Sequence, residues 1–260
     1  MTDHTSTDPS VGAVASKVPP VTLLFWVIKI LATTVGETGG DALSMTLQLG
    51  YTVSSLIFLA FFAATLAAQV RANRYHPFAY WAVVVATTTV GTTVSDYLDR
   101  TLGLGYVKSS IMLFGAVLAV LFIWRHVTKQ IKFENITTRT DEVFYWLTIL
   151  VSNTLGTALG DFTASTAGMG FERGALVFAG LIALVAAAHF CLKKIPPSVL
   201  FWSAYVLTRP LGATLGDTLT KSHAEGGLAL GRITSSFTLT GAMVIGILWM
   251  SRNWRRAEKI

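Results

Sequence analysis

Eight apolar stretches alternate with polar connections along this chain of 260 residues. Each stretch is roughly 18 to 22 residues long, the length that an α-helix needs to cross a hydrocarbon core of ~30 Å. The stretches occupy residues 20–40, 52–70, 78–97, 107–125, 143–162, 174–192, 198–218 and 233–251. The pattern therefore predicts an all-α membrane protein with eight transmembrane helices.

The odd-numbered stretches share a skeleton of a Trp, a Gly ten residues later and an Asp five residues after that. The four copies are Trp26, Gly36 and Asp41; Trp81, Gly91 and Asp96; Trp146, Gly156 and Asp161; and Trp202, Gly212 and Asp217. The even-numbered stretches begin with a Gly followed by two small residues, as at Gly50, Ser54 and Ser55. This recurrence predicts four copies of a two-helix hairpin.

Polar segments flank and divide these copies. Residues 1–19 are polar and lack the basic start and apolar middle of a signal peptide, so we expect a disordered cytoplasmic tail there. The segment at 127–142 is predicted to be a cytoplasmic linker between two four-helix halves, at 20–126 and 143–251. Residues 252–260 are predicted to form a basic cytoplasmic tail.

Composition strengthens the membrane prediction, because 52% of the residues are hydrophobic and only 13% are charged, whereas soluble domains are ~25% charged. Most Lys and Arg residues fall on one side of the eight-span topology, so the net charge of +6 does not indicate a nucleic-acid partner. The positive-inside tendency predicts cytoplasmic termini and four parallel repeats in a bacterial inner (plasma) membrane. The lipid bilayer is the expected partner, and a homo-oligomer is compatible with this design. The lone Cys191 excludes an internal disulfide and is predicted to pack inside a span.

The repeated aspartates are the first candidates for chemistry. At ~1.5 Å per residue, each Asp lies ~22 Å from its Trp, so a Trp at the inner interface places the Asp in the outer third of the membrane. If the odd helices surround one axis, the aspartates form a ring, and such rings recur in cation pathways. Glu37 adds a carboxylate four residues before Asp41 in the first repeat only. The predicted metal ligands are Glu37, Asp41, Asp96, Asp161 and Asp217.

A polar stripe precedes each Asp on one helix face, and its oxygens suit hard cations such as Mg²⁺, Mn²⁺, Ca²⁺ or Na⁺. The predicted pathway-lining residues are Thr33, Thr34, Thr88, Thr89, Asn153 and Thr154, while Thr92 and Thr157 occupy the position of Glu37 in later repeats. Lys29 and Arg209 lie inside spans and are predicted to neutralise a carboxylate when no cation is bound. The glycines Gly36, Gly91, Gly156 and Gly212 are predicted to break the helices and expose backbone carbonyls.

Each of these residues also has a purely structural interpretation. An interfacial Asp can be solvated or can cap the following turn. A Thr can hydrogen-bond its own helix or a neighbour, and Lys29 can extend towards the cytoplasmic side. Recurrence is compatible with both interpretations, because repeats inherit structural caps as readily as ligands.

The sequence contains no Walker A loop, HExxH motif, paired Cys motif or nucleophile elbow, so we expect no enzyme and no cofactor other than a transported cation. The four-hairpin pattern resembles a largely uncharacterised family of small bacterial multi-pass membrane proteins. Separately, GETGGD at residues 36–41 is similar to the Glu-x-Gly-Asp motif of Gdt1-type manganese and calcium exporters. That resemblance implies that the carboxylates bind the ion.

The leading hypothesis is therefore a gradient-driven transporter or exporter of a small cation, most of all a divalent metal such as Mn²⁺. One alternative is a carrier of a small anionic or zwitterionic solute, held by Lys29 or Arg209. Another is a non-transporting membrane scaffold in which the repeats only pack against one another.

Overall fold

The computed structural model describes residues 16–72, 75–192 and 194–257, and within these ranges it contains eight α-helices and no strand. The helices are α1 (Leu23–Asp41), α2 (Gly50–Arg71), α3 (Pro77–Asp96), α4 (Gly105–Thr128), α5 (Arg139–Asp161), α6 (Gly170–Cys191), α7 (Pro197–Thr220) and α8 (Arg232–Ala257). The prediction of an all-α protein is confirmed. Seven of these helices are long and apolar enough to cross a membrane, and α7 is the one that is not among them.

The predicted tails are only partly within the described residues. Residues 1–15 and 258–260 lie outside them. The end of the first tail is packed against the protein, because Val18 is buried and the Lys17 Nζ atom lies 2.9 Å from the Glu142 carboxylate. The second tail begins as a continuation of α8, which reaches Ala257. These two parts of the predicted tails are therefore ordered.

The four odd-numbered helices form an inner ring, in which α1 packs against α3, α3 against α5, α5 against α7, and α7 against α1. Helices from both predicted halves close this ring together. The segment at 127–142 therefore divides the sequence, whereas the inner helices on either side of it pack in one ring.

The repeated glycines do not break the inner helices, which run through all four of them without interruption. Each glycine lies where the next inner helix comes closest, so that Gly36 faces Thr88 and Gly91 faces Asn153. In the same way Gly156 faces Arg209, and Gly212 faces Thr33 to close the ring. A Cβ atom at any of the four glycines would lie closer than 3.0 Å to its neighbour. The prediction of helix breaks is thus wrong, because these glycines permit close helix packing.

The even-numbered helices surround the ring, and each packs mainly on the inner helix of the next repeat. Thus α2 packs on α3, α4 on α5, α6 on α7, and α8 returns to α1. The repeats are therefore interlocked, because the outer helix of each two-helix hairpin covers the inner helix of the following repeat. The outer helices expose large apolar side chains, including Ile111, Phe122, Leu184 and Phe237. Such surfaces are typical of a multi-pass membrane protein.

The tryptophans pack in the interior instead of marking an interface. Trp81, Trp146 and Trp202 are each at most 5% exposed, whereas Trp26 is partly buried, and each of the four follows another aromatic residue in the ring core. The preceding residues are Phe25, Tyr80, Tyr145 and Phe201. The linker covers this aromatic layer, because Phe133 stacks on Phe201 with ring centroids 4.9 Å apart. Cys191, in contrast, is exposed at the end of α6, so its predicted packing role is wrong.

At the other end of the ring, α1, α3 and α5 continue past their aspartates into five-residue π-helical turns, at Ala42–Thr46, Tyr97–Thr101 and Phe162–Thr166. The fourth repeat differs, because α7 continues to Thr220 and a short 3-10 turn follows at His223–Glu225. The Ser222 hydroxyl and backbone N–H both donate to the Glu225 carboxylate, and these bonds lower the pKa of Glu225. This loop holds Lys221 beside the aspartates.

Candidate functional site

On each inner helix, the residues 3, 7, 11 and 15 positions after the Trp lie on the buried face. The four inner helices together therefore form four stacked layers of side chains. Starting from the aromatic end, the first layer contains Lys29, Val84, Ile149 and Tyr205, and the second contains Thr33, Thr88, Asn153 and Arg209. The third contains Glu37, Thr92, Thr157 and Ala213, and the fourth contains Asp41, Asp96, Asp161 and Asp217. All sixteen residues are buried.

Arg209 links the four inner helices through one guanidinium nitrogen. From α7, its Nη2 atom donates to the Glu37 carboxylate of α1 at 2.9 Å. The same atom lies 2.6 Å from the hydroxyls of Thr92 and Thr157, which belong to α3 and α5. Glu37 also accepts from the Thr92 hydroxyl at 3.3 Å. The structure therefore places a buried ion pair at the centre of the ring.

The four aspartates are each paired with a basic side chain. Arg100 lies 3.1 Å from Asp96 and 3.4 Å from Asp161, and so joins the second and third repeats. Lys221 lies 3.3 Å from Asp217 and 3.6 Å from Asp41, and so joins the fourth repeat to the first. Arg232, at the start of α8, lies 3.3 Å from the same oxygen of Asp41.

The aspartates are not helix caps. Asp41, Asp96 and Asp161 make no side-chain hydrogen bond to the turn that follows, and all four aspartates are at most 4% exposed. The structural interpretation as solvated or capping residues is therefore wrong for this chain, because each carboxylate faces the ring interior and an ion-pair partner. Their role in binding a cation stays a prediction.

Three carboxylates come close enough together to share one cation. Oxygen atoms of Glu37, Asp41 and Asp217 all lie within 4.8 Å of one another, and all three residues are buried. Carboxylate oxygens are the ligands preferred by Mg²⁺, Ca²⁺ and Mn²⁺. Asp96 and Asp161 do not belong to this group. The four aspartates therefore form two pairs: Asp41 and Asp217 lie close to Glu37, whereas Asp96 and Asp161 do not.

The predicted pathway-lining hydroxyls mostly bond to backbone carbonyls. Thr34, Thr89 and Thr154 donate to carbonyls of their own helices. Thr33 and Thr88 also donate across helix interfaces, to the carbonyls of Thr208 at 3.1 Å and Ala32 at 3.2 Å. The Asn153 side-chain amide donates to the Thr87 hydroxyl at 2.9 Å. These contacts agree with the packing interpretation of the Thr residues.

The two basic residues predicted inside spans have different surroundings. Arg209 pairs with Glu37, whereas the Lys29 Nζ atom lies 4.2 Å from the centroid of the Tyr205 ring. Lys29 is 0% exposed, and its Nζ atom has no hydrogen-bond partner among the described residues. Lys29 therefore does not extend to an exposed end of the bundle, and the ion-pair partner of Glu37 is Arg209 instead of Lys29.

Sequence reasoning missed Arg100, Lys221 and Arg232 as members of the site, because the predicted topology placed them in loops. A signal was present in two repeats, where a basic residue follows the Asp by four positions, at Asp96 and Arg100 and at Asp217 and Lys221. The bridges from these residues to the next repeat have no such local signal.

A family model described as "Repeat of Unknown Function (DUF347)" matches the chain four times, at residues 24–75, 79–130, 144–194 and 200–255. These matches coincide with the four repeats of the structure. No curated protein and no solved structure matches the chain. The comparisons give no support to the resemblance between GETGGD and the Gdt1-type exporters.

Proposed function

The chain belongs to this family of repeats, and from the geometry of its inner ring we propose that it is a gradient-driven membrane transporter of a small cation. Mn²⁺ is the first candidate among the divalent metals. The observation that carries the proposal is the group of three buried carboxylates, Glu37, Asp41 and Asp217, with oxygens within 4.8 Å of one another.

The carboxylate group is already neutralised from within the protein. Arg209 occupies an oxygen of Glu37, Lys221 lies between Asp217 and Asp41, and Arg232 reaches Asp41. An entering cation therefore has to compete with these basic side chains for the same oxygens. The basic side chains thus compensate the buried carboxylates when no cargo is bound, which is what an alternating transporter needs in a medium of low dielectric.

The proposed orientation places all eight helices across a bacterial plasma membrane with both termini in the cytoplasm. The basic residues Lys17, Arg125, Lys129 and Lys132 lie near the aromatic end of the ring, in agreement with the positive-inside tendency. The aspartate layer then lies towards the outer side. In this arrangement α7 crosses the membrane packed against α1, α5 and α6, and these helices shield Arg209 and Asp217 from lipid.

Substitution of the carboxylates tests this proposal in cells that depend on the protein for growth at high metal concentration. We expect Glu37→Gln and Asp41→Asn to abolish metal resistance or metal flux when activity is compared at equal amounts of folded protein. Glu172→Gln is a matched control, because Glu172 is an exposed acid at the start of α6, near the same end of the bundle, and should retain full activity.

The same variants separate transport from a scaffold role. A scaffold would keep normal metal flux in both carboxylate variants, and that result would refute the proposal. Binding is measured independently on the purified protein, where Mn²⁺ should raise the Tm of the wild type and of Glu172→Gln but not of Glu37→Gln.

A further inference from the structure

A second group of buried polar atoms lies between the aromatic layer and the Glu37–Arg209 ion pair. The Lys29 Nζ, the Tyr205 hydroxyl and the Arg209 Nε and Nη1 atoms have no hydrogen-bond partner among the described residues. Lys29, Tyr205 and Arg209 are each 0% exposed. The cation transport proposed above uses none of these atoms, because Glu37 is bonded through Nη2 of Arg209.

These atoms belong to adjacent elements of the ring. Tyr205 and Arg209 are one turn apart on α7, so they lie on the same face of that helix. Lys29 approaches from α1 with its ammonium 4.2 Å from the Tyr205 ring centroid, within the electrostatic range of Arg209. The indole N–H group of Trp202, in the aromatic layer below, also lacks a partner in the described part of the chain.

The local charge is not balanced. Two basic side chains meet here, while Glu37 is the one carboxylate that forms an ion pair with either of them in the described structure. An uncompensated buried charge costs several kcal/mol, and a cation–π contact returns only about 2 kcal/mol or less. Without a negative partner a buried Lys gives up its proton, so an anion that binds here would be held by a protonated Lys29 as well as by the unpartnered N–H and O–H donors.

The chemistry of the surroundings restricts that partner. The three side chains lie in the buried interior of the ring, where Gly156 and Gly212 admit the close approach of neighbouring helices. A small monovalent anion can satisfy several N–H and O–H donors at once and can neutralise one surplus charge. We propose that Lys29, Tyr205 and Arg209 form a buried binding site for a small monovalent anion, with chloride as the first candidate.

Thermal unfolding of the purified full-length protein at constant ionic strength tests this site, with sodium chloride replaced stepwise by sodium gluconate. Chloride at 100 times its Kd should raise the Tm by about 5–10 °C. Lys29→Met should abolish this rise. Its Tm in gluconate should equal or exceed that of the wild type, because the substitution removes a buried amine that has no hydrogen-bond partner in the described structure, whereas loss of a purely structural contact would lower it.

Three further variants make the result decisive. Lys29→Arg keeps the charge and should retain the chloride effect, while Tyr205→Phe removes only the hydroxyl and should weaken it. Lys108→Met is the matched control, because it removes an exposed positive charge from α4 and should leave the effect intact. If Lys29→Met does not fold, Tyr205→Phe provides the test.

Two results would overturn the proposal. One is a Tm that does not respond to chloride, bromide or nitrate in the wild type. The other is a chloride response that is unchanged in both Lys29→Met and Tyr205→Phe. Neither result bears on the proposed cation transport, whose test depends on Glu37 and Asp41 and uses metal in place of chloride.

Discussion

The buried ion pair between Arg209 and Glu37 allows a quantitative test of the ring. Arg209→Gln removes the guanidinium but keeps the Cβ and Cγ atoms, which pack against Gly156. Glu37→Gln removes only the charge of the partner. The two substitutions therefore change the electrostatics at the centre of the ring with little change in the packing around it.

Each single variant leaves the other charge buried without its partner, since the Arg209 and Glu37 side chains are 0% and 5% exposed. Removal of one member of a buried pair costs about 3–5 kcal/mol. For a chain of this size, that loss corresponds to a Tm lowered by ~6–20 °C. The double variant buries neither charge, so we expect it to lose no more stability than the worse single variant, with a coupling free energy of about 3 kcal/mol.

The assay is thermal unfolding in a defined detergent with a chelator present, followed by tryptophan fluorescence. The control is Lys132→Gln, because Lys132 is 31% exposed and Asp141 keeps its hydrogen bonds from Trp124 and Thr138, so we expect a loss of about 1 kcal/mol or less. If the losses of the two single variants simply add in the double variant, the pair is not coupled as described, and the central role of Arg209 is refuted.

Two further predictions concern packing and topology. Gly91→Ala should lower stability by about 1–3 kcal/mol, because the new Cβ would lie 2.8 Å from the Asn153 carbonyl carbon. Gly115→Ala, on an outer helix with open space around it, should be neutral or stabilising by up to about 1 kcal/mol in the same unfolding assay. For topology, a Cys191→Ser background carries either Ala224→Cys or Gln130→Cys at exposed loop positions. An impermeant maleimide should label Ala224→Cys on intact cells and Gln130→Cys only after permeabilisation, and labelling of both on intact cells would contradict eight spans.

The number and type of helices could be predicted from the sequence, because apolar length and the Trp, Gly, Asp period are local properties. The function of the shared glycines could not be predicted in the same way. Gly36 looks like a helix breaker in isolation, and only the neighbouring Thr88 shows that it is a packing position. The tryptophans were misjudged for a related reason, since the ring buries the aromatic layer that a single helix would expose.

The site was predicted in part. The sequence identified Glu37 and the aspartates as residues of one buried region, and it offered both Lys29 and Arg209 as partners for Glu37. The choice of Arg209 depends on the closure of the ring between α1 and α7, which no short-range pattern encodes. The bridging roles of Arg100 and Lys221 depend on the same closure.

The interlocked order of the repeats has a consequence for biogenesis. The basic partners of the α1 carboxylates all belong to the last repeat, namely Arg209, Lys221 and Arg232. Helix α8 of the same repeat packs on the outer face of α1. Arg209 is synthesised 172 residues after Glu37, which at 5–20 residues per second is a delay of about 10–30 s. During that interval protons, water or the insertion machinery must stabilise the charges of α1. The charges of the first inner helix are thus neutralised within the protein only after the last repeat has been translated.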